Sequence, residues 1–250
     1  MKKASFLAVL LLATSVAAQA PEPPLDNTKL TVHTLVREDV FAGFLQNDLV
    51  RLARAEKNLT QLLANRPTDR PSLLAWQGTV ALTRAVQANE ANSQQEFARH
   101  YRRAIDFFAD AMREGPGDGA VWAIVGGSNA SLADRLPATE RKAAWEQGYG
   151  AYAQLWRMQS SIVSKLPLHH RGELLTGLAQ TAQRSGRVVE AVTYLDQILE
   201  TMGDTPYAAR AREWKNNPAS RAEGNLTCRT CHAPGTLAAR LSQLAATPDK

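Results

Sequence analysis

Apolar residues recur along this 250-residue chain with the spacing of α-helices. One stripe, with successive spacings of 4, 3, 4 and 3 residues, comprises Val188, Val192, Leu195, Leu199 and Met202. A second stripe comprises Phe97, Tyr101, Ala104, Phe108 and Ala111. Such spacing places the apolar side chains on one face of a helix. Helix-breaking residues follow both stripes, and only the short run 30–36 resembles a β-strand. The pattern therefore predicts an all-α fold.

The helical stripes belong to a repeat with a period near 45 residues. The same apolar template starts at Ala55, Ala104, Gly148 and Ala191, at intervals of 49, 44 and 43 residues, and the copy at Gly148 is the weakest. Upstream helices are predicted at about 72–86, 119–132 and 171–184. Self-similarity of this kind indicates a stack of helix-turn-helix units, each burying its apolar face against the next.

The last unit resembles the tetratricopeptide repeat. The matching positions are Leu175, Leu178, Ala179, Ala182, Gly186, Ala191, Leu195, Ile198 and Leu199. The resemblance covers about residues 44–214. The repeat of that family has 34 residues, and the repeats of this chain are longer because their loops, such as 87–95, are longer. It implies a curved helical scaffold whose concave face binds peptides or other proteins. A plain helical bundle with the same amphipathic pattern is the alternative.

The N-terminus is typical of an export signal. Lys2 and Lys3 precede fifteen uncharged, mostly apolar residues from Ala4 to Ala18. Cleavage is expected after Ala18, with Ala20 as the alternative. We thus expect a signal peptide at 1–18, an N-terminal arm or linker at 19–43, helical repeats at 44–216 and a separate C-terminal segment at 217–250. The mature protein is expected in the bacterial periplasm or outside the cell, with no transmembrane anchor.

Charge and motif content exclude several functions. The formal net charge is +5 and falls to +3 without Lys2 and Lys3, too little to indicate nucleic-acid binding. The sequence contains no nucleophile elbow, P-loop or dinucleotide-binding fingerprint. An electron-transfer or binding protein is therefore expected rather than an enzyme. Its expected partners are a redox protein, a peptide on the concave face of the repeats, or both.

The two cysteines of the chain lie in the motif Cys228-Arg229-Thr230-Cys231-His232. This is the C-x-x-C-H attachment signature of c-type haem. Two thiols at this spacing can each add to a haem vinyl group, and the adjacent imidazole can bind the iron on its proximal face. We therefore predict one covalent haem c, with Cys228 and Cys231 as thioether donors and His232 as the proximal ligand. A disulfide or a zinc site at the two cysteines is the alternative.

The motif stands close to the end of the sequence. Eighteen residues follow His232 and none of them is methionine. The chain therefore departs from small cytochromes c, which carry an axial methionine downstream of the motif. In placement alone it resembles cytochromes c′, whose motif lies near the C-terminus of a helical bundle. A short helix at 236–246 is predicted from the spacing of Leu237, Leu241 and Leu244. We expect this helix and the motif to pack against the last repeat.

Seven side chains are candidates for the distal iron ligand: Met112, Met158, Met202, His33, His100, His169 and His170. Met112 and Met202 lie on predicted core stripes, and Met158 lies in the weak third unit. His100 is expected to be a half-buried structural residue, and His33 lies in the expected extended arm. His169 or His170, in a predicted loop before Arg171, is the preferred ligand. An open or water-bound iron is the alternative, which would favour a haem enzyme or a gas sensor.

Overall fold

The computed structural model describes residues 20–217, 226 and 235–246. Within these residues every regular element is a helix, so the predicted all-α class is confirmed. The ten α-helices are α1 (Val32–Leu45), α2 (Leu49–Asn65), α3 (Arg70–Glu90), α4 (Gln94–Glu114), α5 (Gly119–Leu132), α6 (Ala138–Gln159), α7 (Leu168–Arg184), α8 (Val188–Met202), α9 (Pro206–Asn216) and α10 (Thr236–Ala246). Short 3-10 helices cover Pro67–Asp69, Ala133–Arg135 and Ser160–Lys165. In this part of the chain, no helix combines the length and the apolar character that a membrane span requires.

The first eight helices pack as four consecutive pairs, α1–α2, α3–α4, α5–α6 and α7–α8. The first helix of each pair also contacts the first helix of the next, so that α1, α3, α5 and α7 form a continuous series. We call these four the inner helices and their partners α2, α4, α6 and α8 the outer helices. The stacking of neighbouring pairs buries a large apolar cluster that extends from α1 to α7, and a second, smaller cluster lies among α7, α8 and α9.

Two of the pairs are closed by the same type of turn. Between α3 and α4, Asn92 adopts a φ of 56°, and Ser93 N–H donates to the Ala88 carbonyl at 2.8 Å. Between α7 and α8, Gly186 adopts a φ of 85°, and Arg187 N–H donates to the Ala182 carbonyl at 2.8 Å. This bond across six residues, with one residue in the left-handed region, is the Schellman end of a helix. These turns are tight, and helix replaces most of the loop that the sequence predicts at 87–95.

In the outer helices, the first, fifth and eighth positions of the template are buried, and the ninth position is half-buried. Ala55 and Ala104 have no exposed surface, and Ala191 is 1% exposed. Gly148, the origin of the weakest copy, is also buried, and it faces Asn129 and Thr181 of two inner helices. An alanine side chain at residue 148 would be crowded by these two residues. This explains why the third copy of the template has glycine where the other copies have alanine.

Buried polar side chains connect the inner helices. The hydroxyl groups of Thr79 on α3 and Ser128 on α5 lie 2.7 Å apart. Gln180 on α7 donates from Nε2 to the Ala130 carbonyl on α5 at 3.0 Å. Because an unsatisfied polar group inside a core costs about 1–3 kcal/mol, these bonds fix the relative register of the inner helices.

The extended arm predicted at 19–43 is wrong for residues 32–43, which belong to the inner helix α1. Thr31 caps this helix by accepting a hydrogen bond from Thr34 N–H at 3.2 Å. Its buried Val36, Val40 and Phe44 follow a helical spacing, and the strand-like run at 30–36 overlaps its first turns. The preceding residues are held by Arg66, which donates to the carbonyls of Leu25, Asn27 and Leu30.

The C-terminal helix α10 has the bounds that the sequence predicts, but it packs elsewhere. Leu237 is 3% exposed and belongs to the core cluster that contains α1, and Leu237 N–H donates to Glu38 Oε1 of α1 at 3.2 Å. The expectation that this helix lies against the last repeat is therefore wrong. Although α10 follows α9 in the sequence, it packs on α1, the first of the described helices.

Candidate functional site

Cys228, Cys231 and His232 lie outside the described residues, as does the predicted signal peptide. The residues on both sides of the motif are described. Leu226 is 1% exposed and packs in the cluster formed by α7, α8 and α9. Its N–H donates to Gln180 Oε1 on α7 at 2.6 Å, and its carbonyl accepts from Arg210 at 3.4 Å. On the other side of the motif, Leu237 is bound to Glu38 on α1. The motif is thus flanked by one anchor on α7 and one on α1.

The same two helices line a cavity with a volume of about 340 Å³. Helices α3, α5 and α6 complete its lining. The bulky apolar side chains of its wall are Phe41, Phe44, Trp76, Ile124, Leu155 and Leu174. Small residues of α5, including Ala120, Ala123 and Gly127, make room for it. A cavity of this size with mostly apolar walls and a few polar groups is typical of a site for a small molecule or cofactor.

Three of the histidines considered from sequence meet at this cavity. His169 and His170 lie in the first turn of α7, not in a loop, and they line the cavity together with His33 of α1. The rings of His169 and His170 are 5.8 Å apart. His33 lies against Trp76 with ring centroids 5.2 Å apart. His33 was predicted to lie in an extended arm, and it lines this cavity because residues 32–45 are helical.

The remaining distal-ligand candidates lie away from the cavity. Met202 is 4% exposed in the second apolar cluster, and Met112 packs against the first cluster, in agreement with their predicted core roles. Met158 is half-buried on α6. His100 lies on the outer helix α4, 3.5 Å from Glu96, where the sequence places a half-buried structural histidine.

Burial governs the electrostatics at α7. Glu173 borders the cavity, and burial raises its pKa to about 7, although 26% of its side-chain surface is exposed. Burial lowers the pKa of His169, and the positive charges of His170 and Arg37 lower it further. His169 Nε2 lies 3.7 Å from Glu173 Oε2, and His169 Nδ1 lies 3.2 Å from the hydroxyl of Tyr207. Both ring nitrogens of His169 therefore have polar neighbours, which orient the imidazole.

Arg37 is the permanent cation of the cavity lining. It donates to His33 Nε2 at 3.4 Å, and burial lowers its pKa. Its positive charge contributes to the lowered pKa of His169 on α7. Beside it, Trp76 is 2% exposed, and its indole N–H has no acceptor among the described residues.

Sequence reasoning did not select Arg37, Glu173 or Trp76. The spacing of His33, Arg37, Phe41 and Phe44 (4, 4 and 3 residues) is a helical stripe that could have revealed one wall of the cavity. No comparable signal connects that stripe with α7, because the two walls are more than 120 residues apart. Only the packing of the inner helices joins them.

The lining residues fit a haem group chemically. Imidazole is a haem-iron ligand, an arginine suits a propionate, and apolar aromatic walls suit the macrocycle.

No family model matches this chain, and no curated protein or solved structure is significantly similar to it. The site therefore has to be interpreted from its own residues.

Proposed function

We propose that this protein is an exported monohaem c-type cytochrome that transfers electrons. In this proposal Cys228 and Cys231 hold the haem by thioether bonds, and His232 is the proximal iron ligand. The haem, when bound, supplies a one-electron oxidation and reduction of its iron. The proposed location is the periplasm or the exterior of a bacterium, because the thioether bonds form outside the cytoplasm and the N-terminus is typical of an export signal.

The observation that carries the proposal is that the two flanks of the motif are anchored on α7 and α1, which both line the cavity. Leu226 is bound to Gln180, which lies two helical turns, about 10 Å, along α7 from Glu173 in the cavity lining. Leu237 is bound to Glu38, the immediate neighbour of Arg37 in the lining. The flanks are thus attached to the two helices that supply the ionisable groups of the cavity lining.

The chain's own residues have separable tasks in this proposal. Gln180 and Glu38 fix the two ends of the attachment segment. The apolar wall excludes water, which strengthens the influence of nearby charges on a redox centre. His169 or His170 supplies the distal imidazole. Both side chains are exposed; His169 has Tyr207 and Glu173 as polar neighbours, while His170 has no hydrogen bond among the described residues.

The scaffold proposed around this centre is a stack of tetratricopeptide-like repeats that binds the redox partner or a peptide. Support comes from the four helix pairs, the equivalent turns at Asn92 and Gly186, and the buried template positions. Exposed Val188 and Val189 at the start of α8, 47% and 81% exposed, are apolar contacts available to such a partner.

The decisive test is a pyridine haemochrome spectrum of protein produced with a cytochrome c maturation system. We expect one haem per chain that survives acid-acetone extraction, because thioether bonds are covalent. The variant Cys228→Ala/Cys231→Ala should lose the haem and keep the helical circular dichroism of the wild type. Stoichiometric zinc or a Cys228–Cys231 disulfide in protein from its native host would contradict the proposal and leave a protein-binding scaffold.

A second measurement addresses the distal ligand. His169→Gln and His170→Gln are made separately, with His100→Gln on the outer helix α4 as the matched control. We expect one cavity variant to convert low-spin six-coordinate iron to a high-spin form that binds carbon monoxide rapidly, and the control to keep the wild-type spectrum. Wild-type spectra in both cavity variants would make the distal assignment wrong. High-spin iron in the wild type would favour an enzyme or gas sensor instead.

A further inference from the structure

At one end of the cavity, Arg37 forms no ion pair with any carboxylate of the described residues. Arg37 is half-buried, and no carboxylate of the described residues lies within 4.0 Å of its guanidinium nitrogens. Its described hydrogen bond goes to His33, which is not an anion. The adjacent Glu38 is engaged elsewhere, with Leu237 N–H at 3.2 Å and with Arg51 at 3.8 Å. The charge of Glu38 offsets only part of the effect of burial on Arg37, whose pKa stays lowered. A partly desolvated cation without a directly paired carboxylate is costly, and an anionic ligand would reduce that cost.

The acidic side chain of the lining does not fill this role. Glu173 approaches His169, with 3.7 Å between Oε2 and Nε2, and it forms no ion pair with Arg37 in the described structure. The remaining charged or ionisable groups of the lining are His33, His169 and His170. They add donors or positive charge, so the end of the cavity at Arg37 selects an anion.

The other residues of the lining indicate what the uncharged part of that anion should be. Phe41, Phe44 and Trp76 lie next to the polar end, and the first two pack edge to face with ring centroids 4.9 Å apart. Apolar walls of this kind disfavour a small, fully hydrated inorganic anion and favour a molecule with a ring or hydrocarbon chain. The planar guanidinium fork matches the two oxygens of a carboxylate.

We propose that Arg37 binds the carboxylate of an organic acid whose apolar body occupies this cavity. Such a carboxylate can come from two sources, a propionate of the attached haem or a diffusible acid. In the first case the inference rests on the proposed function and identifies the propionate partner. In the second case it adds a ligand site that does not depend on the motif.

The test is calorimetric titration of the full-length, haem-free Cys228→Ala/Cys231→Ala chain with 3-phenylpropionate, and with its neutral amide as the matched probe. We expect the acid to bind and the amide to bind much more weakly. Arg37→Gln in this chain should weaken binding of the acid by about 10- to 100-fold, the usual worth of a hydrogen bond to a charged group. Arg37→Lys should restore part of the affinity, and Arg113→Gln on α4, where Arg113 is 67% exposed, should have no effect.

The haem-loaded protein distinguishes the two sources. If it also binds 3-phenylpropionate in an Arg37-dependent way, the ligand is a diffusible acid. If the loaded protein excludes the probe that the haem-free chain accepts, and Arg37→Gln shifts its reduction potential, the carboxylate is a propionate. Equal affinity for acid and amide, or unchanged affinity after Arg37→Gln in a chain with native circular dichroism, overturns the inference. A wild-type chain that never acquires haem refutes the proposed function, while the haem-free titration still decides the role of Arg37.

Discussion

The inner and outer helices bury their surfaces in different ways. Helices α3 and α4 have the same length, yet α3 buries fourteen of its 21 residues and α4 buries four. In the last pair, inner α7 buries ten residues and outer α8 buries four. An outer helix therefore needs one apolar stripe, while an inner helix must suit neighbours on several sides. Most of the cavity lining lies on the inner helices, so they combine the core with the candidate site.

This difference also explains the composition of the inner helices. They carry small residues at contacts with the outer helices, as at Gly78, where an added Cβ would come within 2.5 Å of the Phe108 ring on α4. They also carry hydroxyl and amide side chains that bond to the adjacent inner helix, as Thr79 does with Ser128. Substitutions should consequently have larger effects at inner contacts than at the outer surface.

The largest effect is expected for Tyr152→Ala on α6. The Tyr152 ring has no exposed surface and packs on Gly126 of α5 and over Gly177 of α7. Its removal leaves a cavity between two inner helices and should lower the free energy of unfolding by about 3–5 kcal/mol, as for other large-to-small aromatic changes. Urea unfolding followed by circular dichroism measures this. Tyr149→Ala on the same helix is the control, because this ring is only half-buried and its hydroxyl donates to Glu190, and it should cost less than Tyr152→Ala. Equal losses of unfolding free energy in the two variants would contradict the larger effect expected at contacts with the inner helices.

A smaller effect is expected for Gly177→Ala on α7. The added methyl group would overlap the Tyr152 ring, which is fully buried and cannot move aside. We expect a loss of about 1–3 kcal/mol from overpacking. The matched control is Gly150→Ala on outer helix α6, where no atom lies within 4 Å, and it should stabilise the helix by up to about 1 kcal/mol.

A double-mutant cycle can then separate overlap from helix propensity. In the Tyr152→Ala background the ring is absent, so the loss caused by Gly177→Ala should disappear. Persistence of the full loss in that background would show that the overlap with Tyr152 is not its cause.

The smallest effect is expected from the pH dependence of His100 on outer helix α4. Burial lowers its pKa below the ordinary 6.5, nearby Arg99 lowers it further, and Glu96 opposes this. The unfolded chain therefore binds a proton more readily near pH 6, so the folded state should lose stability as pH falls through 6.5. Unfolding free energies of wild type and His100→Gln between pH 5 and pH 8, roughly the range in which histidine titrates, measure this. The variant should show a shallower decrease, and identical pH profiles would contradict the expected role of burial.

The outer helices were predictable from the sequence to a large extent. An amphipathic stripe needs only local spacing, which is why the templates at Ala55, Ala104 and Ala191 match buried positions. The end of α7 and the bounds of α10 also follow from local signals, namely Gly186 and the leucine spacing after Gly235. Helix α1 was missed because its apolar run overlaps a strand-like pattern, while its packing against α2 and α3 stabilises the helix.

The sequence by itself determined the all-α class, the repeating helix pairs and the C-x-x-C-H motif on which the haem proposal depends, because each is encoded by spacing over a few residues. Only the tertiary structure decided that α10 packs on α1, that His33 and Arg37 share a cavity with His169 and Glu173, and that Tyr152 fits over Gly177. These contacts join residues far apart in the chain. Their geometry depends on the volume and polarity that several inner helices leave between them, which no local pattern records.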